Sequence, residues 1–103
     1  MNKTIETNQV IELIRFEVAP QLADSFLESR SQVDEFVKTL NGHIATEITH
    51  VNETEWLMLI RWADDVALKA AQVQTASAAV INEWISRHAT FISAETLVVK
   101  YVA

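Results

Sequence analysis

The alternation of apolar and polar positions along the chain predicts four β-strands. In four segments the side chains alternate between two faces and include many β-branched or aromatic residues, which is typical of strands. These segments are residues 9–18, 43–51, 56–63 and 94–102. Pro20 lacks a backbone N–H and ends the first strand. The polar residues 52–55 form a turn, so 43–63 is predicted to be a hairpin, with Glu47 opposite Arg61 because opposite charges then pair across the strands.

The period changes after the first strand. Between residues 21 and 41 apolar side chains recur at i, i+4 and i+7, which predicts one long amphipathic helix. Arg30 and Asp34 are four residues apart and are placed as a pair on its solvated side. Gly42, the only glycine in the chain, stands where a left-handed helix cap is needed.

A second helical tract covers residues 66–89. Asp64 or Asp65 can cap its N-terminus. Its segment 70–79 is small and polar and has little apolar stripe, so we expect a kink or break near residues 74–77. The pattern leaves open whether the tract is one helix or two.

The element order β-α-β-β-α-β is the split ferredoxin-like pattern of α+β proteins. Right-handed crossovers then predict an antiparallel four-stranded sheet in the order 4-1-3-2, with both helical tracts on one face. Residues 9–103 are expected to form this single domain, and residues 1–8 a loose lead-in.

Apolar side chains also occupy the sheet face that the helices leave open. These are Ile11, Leu13, Leu57, Leu59, Leu97, Val99 and Tyr101. Monomers rarely leave an apolar patch of this kind in water, so we expect a homodimer that packs sheet against sheet in a dimeric α/β barrel. The alternative is that the chain termini or a different protein cover this face.

Charge and composition exclude several partners. The chain has 8 Lys and Arg against 14 Asp and Glu, a formal net charge of −6, and its basic residues are scattered. We therefore expect neither nucleic acid nor an anionic membrane as a partner. The lack of cysteine excludes disulfides and thiol nucleophiles. Because no apolar run approaches the ~18 residues of a membrane span, and the first residues lack an apolar signal core, we expect a cytoplasmic protein.

Three stretches resemble a known family. The stretch "VIELIRFEVAPQLADSFLESRSQVDEF" resembles its opening strand and helix, and "NGHIATEI" resembles its second strand, which starts at a glycine. The stretch "LMLIRWADDVALKAA" resembles its third strand, which commonly ends in tryptophan. The family is that of the antibiotic-biosynthesis monooxygenases. These belong to the dimeric α/β-barrel superfamily, and the resemblance covers residues 10–102. It implies the ferredoxin-like barrel and an oxygenase that needs no cofactor. The superfamily also includes haem-degrading enzymes and members without known activity.

The haem-degrading branch is similar in fold and carries an asparagine on the first strand, a tryptophan on the third and a histidine on the next helix. Trp62 matches the tryptophan, whereas Ile14 and Gln72 stand where the asparagine and histidine would be. With both polar members missing, we do not expect haem degradation, and we expect no cofactor.

The resemblance also places a small-molecule cavity between the sheet and its own helices. By the strand alternation, the residues that face it are Glu12, Ile14, Phe16, Ile48, His50, Met58, Ile60 and Trp62. Apolar walls with few polar groups suit a ligand pocket. We assign substrate binding to Ile14, Phe16, Met58, Ile60, Trp62 and Gln72. We expect no metal site, because the three histidines lie on separate elements.

Glu12 and His50 are the candidate catalytic bases. A buried carboxylate suits proton abstraction, and imidazole titrates near neutrality. The alternatives are that Glu12 lies at a sheet end and reaches water, and that His50 is solvated beside the hairpin turn. Trp62 is placed to stack on an aromatic substrate; alternatively it packs in the core with its indole N–H bonded to backbone.

Two classes of function follow from these residues and the resemblance. The first is a cofactor-independent monooxygenase that acts on a small aromatic or quinol-like molecule. The second is a non-catalytic dimeric module that binds a small ligand or has a structural role. Oxygen uptake on quinol-like or anthrone-like compounds discriminates between them.

Overall fold

One antiparallel sheet covered by helices makes up the chain in the computed structural model, which describes residues 8–103. The strands are β1 (Val10–Val18), β2 (His43–His50), β3 (Glu55–Trp62) and β4 (Ala89–Val98). The helices are α1 (Ala23–Glu28), which follows a 3-10 turn at Pro20–Leu22, then α2 (Ser31–Lys38), α3 (Asp65–Ala76) and α4 (Ala79–His88). Apart from Asn8, the predicted lead-in at 1–8 lies outside the described residues.

The strand order is β2-β3-β1-β4, with every neighbouring pair antiparallel. Read from the other edge this is 4-1-3-2, so the predicted ferredoxin-like α+β fold is confirmed. Alternation along β3 shows which face the helices cover: Trp56, Met58, Ile60 and Trp62 are buried, whereas the residues between them are only half-buried. Within residues 8–103, no helix is long and apolar enough to cross a membrane.

The predicted hairpin register is wrong by two residues. Glu47 pairs with Leu59, and Ala45 pairs with Arg61. The turn decides this register, because the Asn52 side-chain oxygen accepts hydrogen bonds of 2.9 Å from the backbone N–H groups of both Thr54 and Glu55. A shift of two residues preserves the side-chain faces, so the predicted orientation of each strand is unaffected.

The predicted single helix at 21–41 is also wrong, because α1 and α2 are separated at Ser29 and Arg30. The Ser29 hydroxyl donates a 2.7 Å hydrogen bond to the Ser25 carbonyl, a local bond that competes with helix continuation. The second tract breaks close to the expected place: α3 ends at Ala76 and α4 begins at Ala79. Asp64 is the N-cap of α3 and accepts from the Ala67 N–H at 2.8 Å.

The last strand begins earlier than the predicted 94–102. β4 starts at Ala89, directly after α4, and pairs with β1 along its whole length with a bulge beside Ile92. Val99 and Tyr101 therefore follow the strand instead of belonging to it. β4 is an edge strand, and its large apolar side chains Phe91, Ile92 and Val98 are exposed.

Aromatic rings fill one end of the layer between sheet and helices. Phe26 is fully buried at its centre and stacks on Trp84 at 4.3 Å between ring centroids. Phe16 and Trp56 pack against Phe26 from the sheet, at 5.3 and 5.8 Å. His88 joins α4 to α1, because its Nδ1 donates to the Trp84 carbonyl at 2.8 Å and its Nε2 lies 3.0 Å from the Ser25 hydroxyl.

Candidate functional site

A cavity of about 260 Å³ occupies the other end of this layer, partly open to solvent. Its floor is formed by β1 and β3, and its walls by α2, α3, α4 and Arg30. Most of its surface is apolar. A dry cavity of ~150 Å³ holds benzene, so this one accommodates a molecule of about two fused rings.

Six of the residues selected from the sequence line this cavity. They are Glu12, Ile14, Met58, Ile60, Trp62 and Gln72. The three positions compared with the haem-degrading triad, Ile14, Trp62 and Gln72, therefore do lie around one space.

Phe16, Ile48 and His50 lie outside this cavity, although strand alternation predicted that all three face it. Phe16 is buried in the aromatic cluster and lines a small adjoining void of about 20 Å³. His50 is exposed at the end of β2, where its ring packs on Trp56 with 5.0 Å between centroids. The structure thus brings Glu12 together with the binding residues and places His50 away from them.

Glu12 is half-buried in the middle of β1, between Ile60 on β3 and Thr96 on β4. It is therefore not at a sheet end. Its Oε2 accepts a hydrogen bond of 3.3 Å from Gln72 Nε2 on α3. This bond links the sheet to α3 at the cavity and holds the carboxylate beside the space a ligand would fill.

Trp62 is 2% exposed and ends β3. Its indole Nε1 is buried and has no hydrogen-bond partner among residues 8–103, so the expected bond to backbone is not formed. The His43 ring packs edge-on against Trp62 with 5.6 Å between centroids. Burial lowers the pKa of His43, and the positive charges of Arg30 and Lys38 lower it further against the opposing effect of Asp34.

Arg30 lines the cavity, although the sequence pattern placed it on the solvated side of its helix. It does pair with Asp34, at 2.7 Å, but it is 6% exposed and lines the cavity instead of facing water. The signal was present in the spacing: Phe26, Arg30, Val33 and Val37 are separated by four, three and four residues, and all four are buried. Arg30 therefore occupies a position in the apolar stripe of the helical segment.

The polar lining residues are few. Besides Glu12, Gln72 and Arg30 they are Thr75 and Asn82 at the junction of α3 and α4. The part of the chain that the structure describes contains no group of three His, Asp or Glu side chains placed to hold a metal ion. The site is an apolar space with a carboxylate and a guanidinium in its wall.

Comparison with known proteins finds similar folds among solved structures. No family model and no curated protein matches the sequence. The fold is similar to SnoaB, a cofactor-independent oxygenase from Streptomyces nogalater, with a TM-score of 0.70 and 14% identity over 93% of this chain and 97% of SnoaB. It is also similar to a Caulobacter crescentus protein proposed to be an antibiotic biosynthesis monooxygenase, with a TM-score of 0.68 and 16% identity over 96% of this chain and 94% of that one.

A third similar structure is MupZ from Pseudomonas fluorescens, with a TM-score of 0.71 and 16% identity over 87% of this chain and 71% of MupZ. At identities of 14–16%, the similarity between this chain and these structures establishes the fold alone. The resemblance to antibiotic-biosynthesis monooxygenases is thus confirmed at the level of structure.

Proposed function

We propose that this protein is a cofactor-independent monooxygenase that acts on a small aromatic or quinol-like molecule. The observation that carries the proposal is the cavity of about 260 Å³, whose apolar walls include Trp62 and whose edge carries the Glu12 carboxylate. Its fold, shared with the cofactor-independent oxygenase SnoaB, supports the same reaction class.

Such a reaction needs the protein to remove a proton and exclude water, because the substrate itself supplies the electrons. An anthrone loses a proton from its CH₂ carbon, and the resulting carbanion reduces O₂. The carbon gains one oxygen as a carbonyl, and the second oxygen leaves as water with the two hydrogens. A naphthohydroquinone reacts with the same balance: one O₂ gives one hydroxyquinone and one water.

In this proposal Glu12 is the general base. Its place in the cavity wall puts the carboxylate beside a bound substrate, and the bond from Gln72 orients it. Trp62, Ile14, Met58 and Ile60 form the walls against which an aromatic ring packs. The catalytic role of His50 stays a prediction, and its exposed position favours a smaller contribution than that of Glu12.

Oxygen consumption by the purified protein tests the activity. With anthrone or naphthohydroquinone we expect uptake of one O₂ per product and one labelled oxygen in the product from ¹⁸O₂. Glu12→Gln should lower the rate about 10²-fold or more, as removal of a general base does. Glu35→Gln, an exposed glutamate on α2, is the matched control and should leave the rate unchanged.

His50→Ala, measured in the same assay, should cost less than Glu12→Gln. If both substrates bind but no uptake above the buffer rate is detected, the protein is the non-catalytic binding module. An unchanged rate in Glu12→Gln would remove Glu12 from the mechanism.

A homodimer formed through the open sheet face completes the proposal. Ile11, Leu13, Leu57 and Leu59 on this face are only half-buried in one chain, and Leu97 is 38% exposed. Two arginines of the face already make bonds within the chain, Arg15 to Glu55 at 2.9 Å and Arg61 to Gln9 at 2.9 Å. A second copy presents the same apolar side chains, which suits packing about a two-fold axis.

A further inference from the structure

The Arg30 guanidinium lies in the cavity wall. Its Nη1 is 3.1 Å from Met58 Sδ, and its central carbon is 4.6 Å from the centroid of the Trp84 ring. Met58 and Trp84 also line the cavity, so the charged end of Arg30 is at its surface. The side chain is only 8% exposed, so its charged end faces the cavity more than bulk solvent.

Most of the hydrogen-bonding capacity of this guanidinium is unused. Arginine carries five N–H donors, and a thioether is a weak acceptor. Among residues 8–103, Asp34 takes the Nε hydrogen and Met58 Sδ takes one hydrogen of Nη1. The other three donors have no protein acceptor in that part of the chain. A guanidinium presents such donors in a planar fork that matches two oxygens of an anion.

The two charged groups of the cavity lie at different positions along the sheet. Glu12 pairs with Ile60, whereas Met58, which contacts Arg30, pairs with Ile14. Ile14 is two residues beyond Glu12, a separation of about 6.6 Å at the rise of a strand. An anion on Arg30 is therefore held away from the Glu12 carboxylate, with apolar walls between them.

We propose that Arg30 binds an oxyanion of the ligand, so that the molecule taken by this cavity is a small aromatic anion, a carboxylate or a phenolate. This inference rests on the proposed cavity function and specifies its substrate class. The aromatic body packs against Trp62 and Ile60, the oxyanion receives the free donors of Arg30, and the end of the molecule opposite the oxyanion faces Glu12.

A matched pair of probes tests the charge preference without any mutation. Naphthoate and its neutral amide, with the same ring isomer, differ by little except the charge. By calorimetry at neutral pH we expect the wild-type protein to bind naphthoate about tenfold or more tightly than naphthamide, as a charged hydrogen bond implies. Equal affinities, or no naphthoate binding, would overturn the proposal.

Variants then show whether Arg30 is the source of the preference for the anion. Arg30→Met keeps much of the side-chain volume and should abolish the difference in affinity between naphthoate and naphthamide. Arg30→Lys keeps the charge without the planar fork and should give an intermediate affinity. Arg87→Met, on α4 with a 73% exposed side chain outside this cavity, is the matched control and should bind naphthoate like the wild type.

The outcomes for anion binding and for oxygenation are separable. If naphthoate binds through Arg30 but neither anthrone nor naphthohydroquinone consumes O₂, the anion site stands and the oxygenase proposal fails. If O₂ uptake occurs and Arg30→Met alters neither the uptake nor the preference between the probes, the oxygenase stands and the anion site fails.

Discussion

Arg30 and Asp34 form an ion pair whose two members lie in different environments. The Arg30 Nε is 2.7 Å from Asp34 Oδ1, yet the arginine side chain is 8% exposed and the aspartate side chain 43%. The arginine is the more buried partner. Its charge therefore needs the aspartate as a counter-ion more than the aspartate, which reaches water, needs the arginine.

This asymmetry predicts unequal effects of removing either partner. Asp34→Ala leaves a buried guanidinium without its counter-ion and should lower the free energy of unfolding by about 1–3 kcal/mol, between the values for exposed and fully buried pairs. Arg30→Met leaves only a half-exposed carboxylate and should cost less. Urea denaturation measures both, with Glu35→Ala as the exposed control. A larger loss in Arg30→Met than in Asp34→Ala would contradict this reasoning.

Gly42 is predicted to tolerate no side chain. Its φ is +85°, and a Cβ at this position would collide with the Ala67 Cβ on α3. Its carbonyl also accepts the Ala63 N–H at 2.8 Å, which joins the start of β2 to the end of β3. Gly42→Ala should therefore destabilise the fold by about 2–5 kcal/mol, the sum of left-handed backbone strain and overpacking.

A double variant separates the two contributions at Gly42. Ala67→Gly removes the colliding methyl group and by itself costs about 1 kcal/mol of helix propensity. In that background, Gly42→Ala should cost only the backbone strain, about 1–2 kcal/mol. If the cost of Gly42→Ala is the same in both backgrounds, contact with Ala67 does not matter.

Stability is expected to fall in mildly acidic solution because of His43. Burial, then the charges of Arg30 and Lys38, lower its pKa below the usual 6.5, with Asp34 opposing. The unfolded chain therefore binds this proton more readily, so the contribution of His43 is complete above about pH 6.5 and is lost as the pH falls toward the folded-state pKa.

The test of this pH dependence compares slopes. His43→Gln removes the titrating group, so its free energy of unfolding should change less than that of the wild type between about pH 7.5 and 5.5. Absolute stabilities are not compared, because the variant also loses the contact with Trp62. Parallel curves for the two proteins would show that His43 does not contribute.

The alternation of apolar and polar residues was sufficient to predict the strands and their orientation, because one face of the sheet is buried. Met58, Ile60 and Trp62 follow the predicted face, and the strand order follows from the element order. The start of β4 was missed because residues 89–93 carry no clean alternation, and the bulge beside Ile92 interrupts it. A bulge cannot be predicted from side-chain periodicity, because its position depends on how β4 pairs with β1.

The cavity was partly predictable for a related reason. Alternation along a strand determines which sheet face each side chain points to. This was enough to identify Glu12, Ile14, Ile60 and Trp62 as lining residues. Arg30 was assigned to water because charged residues are mostly exposed, although its spacing from Phe26 and Val33 placed it in the apolar stripe. Strand alternation does not show how far the helices extend over the sheet. It therefore could not show that Phe16 and His50, although on the helix-covered face, lie outside the cavity.

The proposed dimer predicts that a charge at the centre of the open sheet face prevents association. Leu59 lies there, between Leu13 on β1 and Glu47 on β2. Leu59→Lys would face Glu47 across the strands, which favours the fold of the single chain, but dimerisation would bury these charges between two sheets, away from water. Sedimentation velocity should change from dimer to monomer. Val73→Lys, on α3 at a position 74% exposed, should remain dimeric, and a dimeric Leu59→Lys would exclude this face as the interface.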